Sequence, residues 1–207
     1  MGSDRNKIFL SIEGKPLLVT TIERLARAER FEEFILVVRS GEEDDVRSIV
    51  SSVRVPYRVV LGGTTRRDSS LEGVRAARGR VVLIHDAARP FPPRTLVEQV
   101  LAGAIEHGAC VPALPIPDTL RYAADGVLCT DALDRRSLYA MQTPQGFNRQ
   151  LIEVCLLAHP EDLPDDAAAV LAEGHVVHTV AGDPFNLKVT SADDLAVAER
   201  IAQLRSD

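Results

Sequence analysis

Three stretches of this sequence carry polar residues in patterns suited to binding an anion, and two of them directly follow apolar runs. The first is Gly62-Gly-Thr-Thr-Arg-Arg-Asp-Ser-Ser70. Its glycines let backbone approach a ligand, and a helix starting there offers free N–H groups to negative charge. The same residues also suit a tight β-to-α turn with Ser69 as N-cap and Glu72 closing a capping box. The spacing excludes a Walker loop. The second is His85-Asp-Ala-Ala-Arg-Pro90. A carboxylate there can hold a divalent cation or a sugar hydroxyl, and Arg89 can meet a phosphate. A structural Asp86–Arg89 pair before the Pro90 turn is the alternative. The third is Asn186-Leu-Lys-Val-Thr190, in which Leu187 and Val189 face the core and aim Lys188 the other way, into solvent or into a site.

Lys7, Lys15 and Lys188 are the only lysines among 24 basic residues. A general bias toward arginine explains the ratio, but a lysine kept against that bias marks a place where a compact ammonium is suited. Covalent catalysis has no support. No serine or cysteine stands on a nucleophile elbow with His and Asp to serve it. The five histidines do not cluster, and His175 and His178 read as surface residues. Phosphoryl and nucleotidyl transfer suit such a set, because they need positioning and positive charge more than proton chemistry.

These stretches must be positioned by alternating strands and helices. Phe34 to Val38, Tyr57 to Leu61, Val81 to Ile84 and Ala109 to Ile116 read as buried strands. Pro16 sits at a helix N1 position before Leu17, Leu18, Thr21, Ile22 and Leu25. Val46, Ile49, Val50 and Val53 mark a second helix face, and a third helix is expected from about Ser69. Pro92-Pro93 opens another. Non-alternating strands in a βαβα rhythm predict an α/β fold, with a Rossmann-like, mostly parallel sheet and helices on both faces. In such sheets ligands bind at the carboxyl ends of strands, where all three stretches are expected to lie. The rhythm breaks after Pro117. Leu120 to Tyr122 and Val127 to Thr130 flank Asp125-Gly126, a hairpin-turn signal, so an inserted β-hairpin either caps the site or serves as an arm for a partner subunit. Helices near Gln150 to Ala158 and Asp166 to Glu173, a strand at Val176 to Val180 and a helix from Ala192 complete the chain.

The 207 residues suit one domain, spanning 1–207. A formal net charge of −6 argues against nucleic acid as partner, though not against a small anion held by a few placed cations. No apolar run is long enough to span a bilayer, and the first residues show no secretory signal pattern. Cys110, Cys129 and Cys155 lack metal-ligand spacing and sit in apolar neighbourhoods. They are expected to be buried free thiols, which suits a reducing cytoplasm.

Taken in order, six segments resemble the 2-C-methyl-D-erythritol 4-phosphate cytidylyltransferases: Lys7-Ile-Phe-Leu with Gly14-Lys-Pro-Leu-Leu18; Gly62-Gly through Arg66 to Ser69; His85 to Pro90; Asp118-Thr119; Leu138 through Gln142-Thr-Pro-Gln145; and Asn186 to Thr190. They cover nearly the whole chain. The related ribitol 5-phosphate cytidylyltransferases usually carry valine at the position of Ala88, which tilts the resemblance to the methylerythritol enzymes. It implies that the phosphate of methylerythritol phosphate attacks the α-phosphorus of CTP, with pyrophosphate leaving under Mg2+ assistance. By position, Lys7 would neutralise the triphosphate and Lys188 would hold the attacking phosphate. Gly63, Thr64 and Ser69 would line the cytosine pocket. Asp86 and Ala87 would sit at the ribose, metal or substrate end, Asp86 being the metal ligand, with Arg89 nearby. Thr119, Arg135 and Thr143 would contact methylerythritol phosphate. The resemblance also implies a homodimer in which residues 117–135 form the dimerisation arm, so that Thr119 and Arg135 serve the partner's site.

The sequence departs from that pattern in two places. Pro164-Asp165-Asp166 stands where relatives often have threonine before two acidic residues, which weakens one substrate contact. Relatives also have a strand and a glycine-rich loop immediately before the position of Met1, and both are absent here. The lost strand would lie inside the sheet, costing two neighbours their backbone partners. A start about 20 residues upstream, with Met1 inside that loop, is the expectation. Without the loop the alternative is a nucleotide-binding homologue that does not turn over.

Overall fold

The computed structural model describes residues 6–28, 31–161 and 163–204, without the side chains of Thr130 and Asp131. The reading of Met1 as part of a glycine-rich loop falls outside these residues. A 3-10 turn at Lys7–Phe9 leads into a two-residue ribbon, β1 (Ser11–Ile12) and β2 (Lys15–Pro16). Then come α1 (Leu17–Ala28), β3 (Phe34–Val38), α2 (Glu43–Val50), β4 (Tyr57–Leu61), α3 (Arg66–Ala76), β5 (Val81–Ile84), α4 (Arg94–His107) and β6 (Ala109–Pro115). The hairpin is β7 (Arg121–Ala124) and β8 (Val127–Ala132). After it follow β9 (Tyr139–Met141), β10 (Gln145–Asn148), α5 (Arg149–Ala158), α6 (Asp166–Ala172), β11 (His178–Ala181) and α7 (Ala192–Leu204).

Local chemistry sets many of these boundaries. Thr65 caps α3 by accepting from Asp68 N–H, while the Asp68 carboxylate accepts from Thr65 N–H. This corrects the expected start at Ser69: Ser69 lies inside the helix, and its hydroxyl bonds the Thr65 carbonyl at 3.0 Å. Pro16 likewise sits one residue ahead of α1, in β2. Gly108 ends α4 at φ 86°, a left-handed conformation natural to glycine. Asn148 and Asp165 cap α5 and α6 with their side chains.

β5 shows how the layers form, because its neighbouring side chains leave on opposite faces. Val82 and Ile84 pack with Leu71, Val74, Phe147 and Ile152 on the side of α3 and α5. Leu83 packs with Leu25, Ala28 and Val97 on the side of α1 and α4. Helices therefore cover both faces. The sheet is mixed. β3 pairs β4 and β6 pairs β11 in parallel, as expected of α/β strands. β10, however, enters antiparallel between β5 and β6, and β9 lies antiparallel on β6. Gly146 makes that insertion possible, since a Cβ there would come within 2.9 Å of Ala104, Leu83 and Val100 side chains. The segment 186–190 belongs to no strand. Cys110 and Cys155 are buried, as expected; Cys129 is exposed on the hairpin, because β7 and β8 pair only with each other and leave their faces uncovered.

β3 and β5 face each other without pairing. Phe34 N–H donates to Pro56 and the Val38 carbonyl accepts from Gly62, so Phe34, Leu36 and Val38 point at β4, and Ile35 and Val37 point away. The Arg149 N–H bond to Arg80 sets Val82 and Ile84 toward β10 and leaves Val81 and Leu83 pointing away. Among the described residues those outward N–H and C=O groups have no partner. They border one cavity of about 620 Å3, with Thr21, Ile22 and Leu25 of α1 on one side and Ser69, Gly73 and Val74 of α3 on the other. Amide exchange should report this. The amides of Leu36, Val38, Val82 and Ile84 should exchange roughly tenfold more slowly than those of Ile35, Val37 and Leu83. Equal protection in both sets would mean that another segment pairs with these edges.

Candidate active site

Where β5 ends, His85 to Pro90 turns sharply: Arg89 N–H donates back to the Asp86 carbonyl at 2.9 Å. This turn presents the Asp86 carboxylate. Lys188 Nζ lies 2.9 Å from Asp86 Oδ2, and Arg89 Nε lies 3.8 Å from the same oxygen. Lys188 arrives on the segment before α7. Val189 N–H donates to the Ala88 carbonyl at 2.8 Å, and Val189 is buried, so Lys188 is aimed at the turn. Lys7 joins from the N-terminal side by donating to the Thr190 carbonyl. Thr190 is held in turn: its N–H and hydroxyl donate to Asp194 at 2.7 and 2.6 Å, while Ser191 Oγ accepts from Asp194 N–H at 3.1 Å and caps α7.

A buried polar network fixes the three loops relative to one another. Gln142 pairs with Asp183 in both directions, donating to its carbonyl at 2.9 Å and accepting from its N–H at 3.0 Å. Asn186 Nδ2 donates to the Thr143 carbonyl at 2.8 Å. Arg89 Nη1 donates to the Asn186 carbonyl at 2.7 Å. Each bond occupies a group that would otherwise be buried without a partner, so the loops are held in register by satisfaction of polar groups as much as by packing.

The charges are tuned by these contacts. Burial pushes the Asp86 carboxyl upward, but the Lys188 hydrogen bond and charge, with Arg66 behind them, hold it below the ordinary carboxylate range. Burial lowers the Arg89 guanidinium, opposed by Asp86. Burial takes the His85 imidazole down to about 4, so the ring is neutral at physiological pH.

Asp86, Ala87, Arg89, Thr143 and Lys188 are thus gathered into one cluster, and Lys7 is held at the Thr190 carbonyl, two residues beyond Lys188. Gly63, Thr64 and Ser69 lie at the start of α3. Ser69 and Arg66 border the same cavity as Asp86 and Ala87, which puts the head of α3 beside the cluster. Gly63 serves the turn itself, since a Cβ there would sit 2.2 Å from Asp68 Cβ. Thr64 donates its hydroxyl to Asp68 at 3.0 Å. Hydrogen bonds from Arg67, Thr64 and Thr65 draw the Asp68 carboxyl down to about 2. Thr119 and Arg135 are not gathered in: both are exposed, on either side of the β7–β8 hairpin.

Sequence reasoning gave no role to His85, Gln142 or Asn186, and it missed a pair beneath the cluster. Arg66 Nη2 lies 2.6 Å from Asp166 Oδ2, and the Asp166 side chain is fully buried. Beside it Gln145 donates to Asp165 at 2.9 Å and accepts from Ala167 N–H at 3.1 Å. An acidic pair heading the alanine-rich run of α6 was a visible signal for a cap; a partner 100 residues away was not. Replacing Arg66 with methionine should strand a buried carboxylate, costing about 3–5 kcal/mol. The melting temperature should fall by on the order of 10 °C. Pairing it with Asp166→Leu should recover most of the loss; calorimetry showing additive losses would refute the coupling.

Chemically, ammonium and guanidinium groups surround one carboxylate, and no nucleophile is poised among them. Such a site suits an oligoanion whose charge rises at phosphorus during transfer. Among the described residues no group of three or more His, Cys, Asp or Glu side chains forms a metal cage.

Comparison with known proteins agrees with this chemistry. Residues 1–204 match the family model of IspD, 2-C-methyl-D-erythritol 4-phosphate cytidylyltransferase. The enzyme of that name from Alkaliphilus oremlandii is 35% identical over 215 residues, covering 100% of this chain and 91% of the relative. That from Bacillus licheniformis is 34% identical over 212 residues, covering 98% and 90%. The crystal structure of the Thermus thermophilus cytidylyltransferase superposes with a TM-score of 0.84 at 33% identity, covering 95% of this chain and 94% of that one. With the match running along nearly the whole chain and the fold agreeing with it, the chain belongs to the 2-C-methyl-D-erythritol 4-phosphate cytidylyltransferase family.

Proposed function

We propose that this chain transfers the cytidylyl group of CTP to 2-C-methyl-D-erythritol 4-phosphate, releasing pyrophosphate and forming 4-diphosphocytidyl-2-C-methyl-D-erythritol, a step of non-mevalonate isoprenoid synthesis. The observation that carries this reading is the meeting of Lys188 and Arg89 at Asp86, with Lys7 held on the Thr190 carbonyl two residues beyond Lys188, in a chain whose residues 1–204 match the family. A phosphate oxygen of methylerythritol phosphate forms a bond to the α-phosphorus, and the bond from that phosphorus to the bridging oxygen of pyrophosphate breaks. Lys7 offsets charge on the triphosphate. Lys188 leaves Asp86 to hold the attacking phosphate in line, and Arg89 steadies the same end of the site. The head of α3, with Gly63, Thr64 and Ser69, takes the cytosine, and Asp86 with Ala87 takes the ribose side. Thr143 supports the methylerythritol phosphate end.

Asp86 fits a divalent cation, because Mg2+ is commonly held by one carboxylate and completed by substrate phosphates. When bound, Mg2+ would neutralise charge on the departing pyrophosphate.

Residues 1–207 act as one domain, and residues 117–135 form the arm of a homodimer, bringing Thr119 and Arg135 to the partner's site. The exposed Tyr122, Val127 and Leu128 on the hairpin support this reading, since a second subunit would cover them. Among the described residues no helix is long and apolar enough to cross a membrane. A cytoplasmic location suits its phosphorylated substrates.

Pyrophosphate release tests the reading directly. CTP with methylerythritol phosphate and Mg2+ should give turnover, and ribitol 5-phosphate should give far less. A preference for ribitol 5-phosphate, or nucleotide binding without release, would overturn it.

A further inference from the structure

We propose that His85 is a positioning residue: through Thr143 it fixes where Asp86 sits, and through Arg89 it fixes the turn that carries Asp86. The kinetic part of this proposal rests on the cytidylyl-transfer reading; the geometric part does not.

The geometry is a directed chain of hydrogen bonds. His85 Nε2 lies 3.0 Å from the Arg89 carbonyl, which can only accept, so Nε2 carries the ring proton. In the neutral imidazole that tautomer leaves Nδ1 bare. Thr143 Oγ1 lies 3.1 Å from Nδ1 and therefore donates its hydroxyl proton to it. With that proton committed, Oγ1 is left to accept, and Asp86 N–H donates to it at 3.1 Å. The order runs from Asp86 N–H to Thr143, to His85, to the Arg89 carbonyl. Arg89 N–H returns to the Asp86 carbonyl at 2.9 Å, so the peptide groups on both sides of Asp86 are held. The Thr143 carbonyl also accepts from Asn186, two residues before Lys188. Both halves of the Asp86–Lys188 pair thus hang on Thr143, and the His85 ring sets the direction of its hydroxyl. Both ring nitrogens are used inside the protein, so His85 acts through Asp86 rather than on substrate.

This reading separates the two ring nitrogens. Glutamine at position 85 can keep a donor toward the Arg89 carbonyl but offers no acceptor where Nδ1 stands. The Thr143 hydroxyl is then free to turn, and Asp86 loses a fixed partner. Small misplacements at a phosphoryl-transfer site act on the chemical step.

Two measurements test it. Nitrogen-15 multiple-bond NMR of the unliganded protein should find the His85 proton on Nε2, with the Nδ1 resonance shifting in Thr143→Val. A proton on Nδ1 would overturn the proposal whether or not the enzyme turns over. In steady-state pyrophosphate release, His85→Gln should lower kcat about tenfold or more while leaving the KM for CTP within about twofold. In a Thr143→Val background the same change should cost less than about twofold, because the chain is already broken. An unchanged kcat, or the full loss in both backgrounds, would overturn it. Absence of turnover in the unaltered chain would count against the proposed function, with the NMR result still deciding the role of His85.

Discussion

Lys188→Ala should lower pyrophosphate release by roughly 10²–10³-fold while leaving the protein folded. The magnitude is that of removing one preorganised donor from a site where charge develops, about 3–4 kcal/mol of transition-state stabilisation. The fold should survive because Lys188 is exposed and its segment is anchored by its neighbours, Val189 on Ala88 and Asn186 on Thr143. Its bond to Asp86 does favour the folded state. Asp86 is held below the ordinary carboxylate range, so the pair's contribution is present at neutral pH and is lost as pH falls through the folded value. Solvent screens it, because the Lys188 side chain is 45% exposed, and about 1 kcal/mol or less is expected. The melting temperature of Lys188→Ala should therefore drop by only about 2–4 °C at neutral pH. A near-normal rate would remove Lys188 from the mechanism. A large loss of stability would show that the rate effect is structural.

Much of the scaffold around Lys188 was legible before any coordinates, for a physical reason. Phe34–Val38 and Val81–Ile84 are continuous apolar runs and Tyr57–Leu61 is apolar but for Arg58; all three are bounded by polar or turn residues, and the observed strand ends coincide with them. Asp125 and Gly126 both adopt positive φ, 51° and 79°, as a tight hairpin requires. β10 was not legible. Gln145, Gly146 and Asn148 give it no strand-like pattern, and it is a strand only because β5 and β6 supply partners on both sides. The start of α3 failed differently. Thr65 and Ser69 are both acceptable caps, and only the reach of Asp68 back to Thr65 decides between them.

The site divides along the same line. The positions of Lys7, Asp86, Arg89 and Lys188 follow from motifs at strand ends and from a scarcity of lysine. The residues that hold them are invisible in the sequence, because their roles are tertiary. Gln142 and Asn186 matter through backbone groups about 40 positions away. Arg66 became a buried-pair residue only once α6 packed beside α3. Local patterns announce the groups proposed to meet ligand; the groups that orient them are announced only by their partners.

The arm offers the second large effect. Thr119 and Arg135 are exposed and make no ion pair with the Asp86 cluster of their own protomer. If each active site takes Lys188 from one subunit and Arg135 from the other, then Arg135→Ala and Lys188→Ala homodimers should each be nearly inactive. Unfolding and refolding the two variants together changes the arithmetic. In equal amounts, half of the dimers are mixed, and each mixed dimer holds one doubly altered site and one intact site. About a quarter of the wild-type rate should return, a gain of on the order of tenfold or more over either variant alone. The recovered sites should show an unaltered KM for methylerythritol phosphate, since nothing in them is changed. If both residues instead served the same subunit, every site in the mixture would carry one substitution. No activity would then return at any mixing ratio. A flat response in a mixture shown by mass spectrometry to contain mixed dimers would therefore exclude the exchanged arm, and a response that peaks at equal amounts would establish it.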